Sequence, residues 1–148
     1  FIMIQDSTTY YIWVGGSCDY GQKERAGSAA VVIEHNGNII CRDVISDFYT
    51  TEFRMILTIM IKKMKELPEH SDILFLTNAA YIQNFDKIPT AKSANPDLIF
   101  QCIEAKKRHN TVSVMITPYH KSPLLIETHN MATAAMIKIR KEYHQNRQ

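Results

Sequence analysis

YYIWVGGSCDYG, residues 10–21, begins as a strand and ends as a loop. Tyr10–Val14 joins aromatic to β-branched side chains, the types that pack on a pleated, half-buried surface. Gly15-Gly16 ends that run, and the polar stretch Ser17–Gly27 reads as a loop. Two more apolar runs follow, Ala29–Ile33 and Ile39–Ile45. Between them Asn36-Gly37 supplies two residues that tolerate positive φ, the strongest short-range signal for a hairpin. This part of the chain predicts three strands, at least two of them antiparallel.

Beyond residue 50 the apolar spacing becomes helical. After Thr50 and Thr51, either of which can cap a helix, EFRMILTIMIKKMKEL (residues 52–67) sets Phe53, Ile56, Leu57, Met60, Ile61 and Met64 at helical intervals. Much of its girth is apolar, which predicts a largely buried helix ended by Pro68. Asp72–Leu76 reads as a fourth strand, Ala79–Gln83 as a short helical piece and residues 84–95 as a loop punctuated by Pro89. Asn95-Pro96 is a cap followed by a proline in the first turn. The helix it starts turns Leu98, Ile99, Cys102 and Ile103 inward and ends at Lys106, Lys107 and Arg108. Thr111–Thr117 alternates as a fifth strand, and a last helix, from Ile126 to Tyr143, sets Ala132, Ala135, Met136 and Ile139 on one face. The order implies a mixed five-stranded sheet with helices on its faces.

A chain of 148 residues, 45% apolar and 22% charged, can bury an ordinary core as one domain and belongs to neither the disordered nor the fibrous classes. Lys+Arg 17 against Asp+Glu 15 leave a net charge of +2, so any basic patch must be local. Cys18, Cys41 and Cys102 are an odd count without Cys-x-x-Cys or Cys/His spacing. They argue against a disulfide scaffold and a structural zinc site, and for a reducing compartment, cytoplasm or nucleus. No apolar run reaches transmembrane length, and the opening FIMIQDSTTYYIW, broken by Gln5 and Asp6, lacks the basic start of a leader. The start at Phe1 rather than Met leads us to expect a single domain, residues 1–148, excised from a longer protein.

IWVGGSCDYG, TTEFRMIL, FLTNAAYI, TPYHKS and ETHNMATAAM, in that order, resemble the successive motifs of the type 1 ribonuclease H family over nearly the whole chain. The long stretch after the last strand, and the lack of a basic helical insertion between residues 84 and 95, make it more similar to retroviral and retrotransposon forms. The resemblance implies a ribonuclease H-like α/β fold. In that family an Asp-Glu-Asp-Asp tetrad holds two divalent ions and cuts the RNA strand of an RNA/DNA hybrid. Carried over residue by residue, the aspartate ending the first strand falls on Gly15 and the helix glutamate on Ile56 of RMIL. The aspartate ending the fourth strand falls on Asn78, and the last aspartate on Asn130, with Glu127 matching a family glutamate three positions earlier. All four carboxylates are replaced. His120 matches the loop histidine that assists product release in the family, and Lys121 follows it as in the retroviral forms.

The chemistry of the substitutions is independent of the family name. Two-metal phosphoryl transfer sets ions about 4 Å apart, and only several anionic ligands offset their repulsion. Asparagine offers a neutral oxygen, glycine none, and isoleucine an apolar branch. The expectation is a site without catalytic residues, metal or other cofactor. Asp19 and Glu24, just after the first strand, are the carboxylates available as replacements, but the plainer reading is solvated loop charges. Glu127 reads as helix-start dipole chemistry. Asn78 and Asn130 either donate to a phosphate or 2′-hydroxyl or bond each other. His35, His70, His109, His129 and His144 show no ligand pattern, and Cys18 and Cys102 read as small buried hydrophobes.

Lys106, Lys107, Arg108 and Lys121 are candidate contacts to a nucleic-acid backbone. The plainer role for the first three is to face water and complement a helix dipole. The function expected is that of a pseudonuclease that keeps RNA/DNA hybrid or duplex binding, weak by itself. The alternative is a structural or protein-docking module of a reverse-transcriptase-derived or domesticated retroelement protein. An active metal-dependent ribonuclease H with substituted ligands stands third. The partners expected are nucleic acid, neighbouring domains or another protein, and no membrane.

Overall fold

A computed structural model describes residues 8–147; Phe1–Ser7, on which the reading of a missing leader rests, lie outside the described residues, as does Gln148. Strand β1 (Tyr10–Cys18) does not stop at Gly15-Gly16 as the sequence suggests. It continues because the glycines pair with Ala30 and Ala29 of the antiparallel β2 (Gly27–His35), small residue against small residue. The polar loop therefore shortens to residues 19–26. Asn36 and Gly37, with φ of 54° and 76°, turn the chain into β3 (Asn38–Asp47), as the hairpin signal predicts. β4 (Asp72–Thr77) and β5 (Thr111–Ile116) add in parallel, and the sheet order is β3-β2-β1-β4-β5.

Helices cover both faces. α1 (Glu52–Glu66) is capped by Thr51, whose hydroxyl accepts from the Arg54 N–H at 3.1 Å, and it buries Met55, Ile56, Leu57, Ile59, Met60 and Met64. Together with α2 (Pro96–Lys106) it packs on Ile12, Val14, Val31, Ile33, Ile73 and Phe75. Asn95 does not cap α2. It lies in the left-handed region at φ 55°, and its side-chain oxygen accepts instead from Arg54, which also pairs with Asp97 at 3.0 Å and ties α1 to α2. α3 (Pro123–Asn146) begins three residues before the expected Ile126, because the Ser122 hydroxyl accepts from the Leu125 N–H and Pro123 suits a first turn. It crosses β1, β2 and β3, and Leu125 joins Tyr11, Trp13 and Leu76 in a second, smaller apolar cluster. Among the described residues no helix is long and apolar enough to cross a membrane.

Candidate functional site

Gly15 and Gly16 are neighbours in β1, so their missing side chains would point to opposite faces. A Cβ on Gly16 would stand 2.9 Å from Glu52 Cγ and 3.0 Å from Ile56 Cγ1. One on Gly15 would stand 2.7 Å from Thr128 Oγ1 and 3.0 Å from His129 Cδ2. Cβ atoms do not come that close to other atoms without something shifting. Side chains from the first turns of α1 and the second turn of α3 thus occupy the space beside these two glycines.

Asn78 directly follows β4, the neighbour of β1. The His129 Nε2–H donates to Asn78 Oδ1 at 3.0 Å, since an amide oxygen can only accept. Burial holds the His129 imidazole below its ordinary pKa, with the Glu52 carboxylate pulling the other way. The Tyr119 ring meets His129 edge-on, centroids 4.9 Å apart. Glu52 itself accepts from the Tyr81 hydroxyl at 2.7 Å, and its backbone N–H donates to Tyr20 Oη at 3.0 Å. Burial, and then the bond to Glu52, push the Tyr81 phenol well above its usual range.

Gly15 and Asn78 thus both meet His129, whereas Ile56 packs beside Gly16 on the other face of the sheet. Asn130 is exposed, and the partner of Asn78 is not Asn130 but His129, the residue before it. Sequence reasoning passed over Glu52 and His129. The signal for Glu52 was its place one helical turn before Ile56; His129 carries no signal beyond adjacency to Asn130.

The replacement carboxylates are engaged elsewhere. Asp19 accepts from Arg140 at 2.7 Å, and that bond keeps its carboxyl below the usual range. Glu24 is 5% exposed and lies 2.8 Å from His144 Nε2. These are not solvated loop charges: both hold the end of α3 against the β1–β2 loop. Glu127 pairs with Arg42 at 3.0 Å. Of the basic candidates, Lys106 pairs with Asp86 at 2.6 Å and Lys107 with Glu104 at 2.7 Å. Arg108 donates to the Lys65 carbonyl at 2.8 Å and to those of Met64 and Leu67, capping α1. Lys121 and His120 are exposed on the short turn Tyr119–Lys121, and no carboxylate among the described residues pairs with Lys121. Cys102 is buried, with its thiol pushed up to about 12 by burial and then by Asp86, whereas Cys18 is only half-buried and reaches the Thr50 carbonyl.

The donors at this centre do not fit a pair of divalent ions. They amount to one carboxylate, Glu52, and one amide oxygen, Asn78, each already hydrogen-bonded, while Thr128 and His129 fill the space beside Gly15. Among the described residues no three His, Cys, Asp or Glu side chains are grouped to hold a metal ion.

A five-stranded sheet of order β3-β2-β1-β4-β5, with α1 and α2 on one face and α3 on the other, is a ribonuclease H-like α/β fold. No family model matches the chain, and no curated protein matches it either. Among solved structures the chain is similar to the crystal structure of LC9-RNase H1, a type 1 RNase H with the type 2 active-site motif. The TM-score is 0.72 at 16% identity, over 90% of this chain and 74% of that one. At that identity the likeness is one of fold.

Proposed function

We propose that this domain is a pseudonuclease that binds the backbone of an RNA/DNA hybrid or duplex without cutting it. The observation that carries the reading is Gly15: the space an aspartate would need is taken by Thr128 and His129, and Asn78 is tied to that same histidine. Ribonuclease H-like geometry supports a nucleic-acid surface, and the order of motifs supports descent from a retroelement. On that surface Lys121 is the basic candidate whose ammonium no described carboxylate neutralises. Lys106, Lys107 and Arg108 reach a phosphate only by giving up internal partners. Three free thiols fit a reducing compartment.

A second reading, a protein-docking module, is favoured by Ile88 and Phe100, apolar side chains 79% and 52% exposed. One assay separates the two. Labelled hybrid is titrated at two salt concentrations with Mg²⁺ or Mn²⁺, and cleavage is followed in parallel. Affinity that falls steeply with salt, without cleavage, supports the proposal. No binding at low salt favours docking, and metal-dependent cleavage by a nuclease-free preparation overturns both.

A further inference from the structure

α3 crosses its face of the sheet over β1, β2 and β3. Beside it a row of side chains stands in register across three strands: Trp13 of β1 opposite Leu76 of β4, and Leu76 opposite Met115 of β5. Above that row opens a groove of about 660 Å³, bordered by Thr117, Pro118 and Lys121. Its size is that of a small-molecule site and its floor is apolar.

Two polar features lie at its edge. The Lys121 ammonium stands at the groove with no carboxylate partner among the described residues, and none of the lining residues is acidic. Ser122, also in the lining, begins the 24-residue α3, whose positive end therefore faces the same region. An apolar floor with two positive features at one edge selects a ligand of matching polarity.

We propose that this groove binds a small amphipathic anion: a flat apolar body lies against the more open part of the lining, Met115, Ile116 and Pro118, and a carboxylate or sulfonate meets Lys121 at the edge where α3 begins. The proposal is independent of nucleic-acid binding. Trp13 is the only tryptophan of the chain and lies in the floor, so it reports occupancy directly. The probe is 8-anilino-1-naphthalenesulfonate, read by energy transfer from Trp13, with the uncharged N-phenyl-1-naphthylamine as its counterpart. Saturable binding of one sulfonate probe per chain is expected, several-fold weaker in Lys121→Gln and unchanged in Ile40→Ser, on the far edge strand. The uncharged counterpart is expected to bind several-fold more weakly. Because Lys121 lies on an exposed turn, its loss leaves the fold intact, which a parental circular dichroism spectrum checks. The proposal is overturned by the absence of saturable energy transfer, or by binding that ignores both Lys121→Gln and removal of the sulfonate.

Discussion

At Gly15 a single added carbon would stand 2.7 Å from the Thr128 hydroxyl, which is fully buried and donates to the Leu125 carbonyl. Gly15→Ala is expected to lower unfolding stability by about 1–3 kcal/mol in urea titration, the usual cost of overpacking. Gly15→Asp is expected to cost more, with part regained in combination with Thr128→Ala; a parental midpoint for Gly15→Asp would show that α3 does not crowd this site. Ile56 is 1% exposed among apolar neighbours, so Ile56→Glu buries a charge. The chain carrying Gly15→Asp, Ile56→Glu, Asn78→Asp and Asn130→Asp is accordingly expected to melt below the parent without metal and to gain stability from divalent ions, which thermal denaturation with and without Mg²⁺ checks. Asp43 gives the pH dependence. Burial raises its carboxyl pKa, but hydrogen bonds from Lys62 and Lys63 outweigh this and bring it from 3.8 down to about 2. A folded value below the unfolded one means the contribution is complete above 3.8 and disappears as pH falls toward about 2. That loss is about 2 kcal/mol. Acid titration of stability should show it, and Asp43→Asn should flatten that limb.

α1 owes its limits to residues at both ends. Thr51→Ala removes the acceptor for the Arg54 N–H and is expected to cost about 1 kcal/mol. At the other end Arg108 satisfies carbonyls that the last turn leaves free, so Arg108→Ala is expected to cost about 1–3 kcal/mol. Lys107, paired only with exposed Glu104, is expected to change stability by less than about 1 kcal/mol when made alanine. Chemical denaturation of the two variants side by side checks this contrast. Hybrid titrations then distinguish a residue that contacts phosphate from one that only holds the helix. A basic cluster at a helix end looks alike in sequence whether it faces phosphate or caps a neighbouring helix. Only the packing of α2 against α1 decides which.

For the whole molecule, a net charge of +2 gives little long-range attraction to a polyanion. Hybrid binding by this chain is therefore expected to be weak at physiological salt and to strengthen as salt is lowered. Charge reversal of Lys106, Lys107, Arg108 and Lys121 together should reduce the salt slope. Tight binding that persists at high salt would contradict that expectation.

Strand and helix periods, the Asn36-Gly37 turn and the succession of elements along the chain were legible because each depends on residues close in sequence. The motifs singled out Gly15, Ile56 and Asn78; in the structure Gly15 and Asn78 share His129 as a neighbour, while Ile56 lies beside Gly16 on the opposite face. The sequence could not show that β1 runs on through its glycines, which depends on the alanines opposite in β2. Nor could it show that α3 starts at Pro123, that Glu24 is buried against His144, or that His129 rather than Asn130 holds Asn78. Each of these joins residues distant along the chain, and the contact exists only once sheet and helices have closed. Residue type and spacing determined the elements; tertiary packing decided which side chains stand beside Gly15 and Gly16, because that depends on how α1 and α3 come to lie on the two faces of β1.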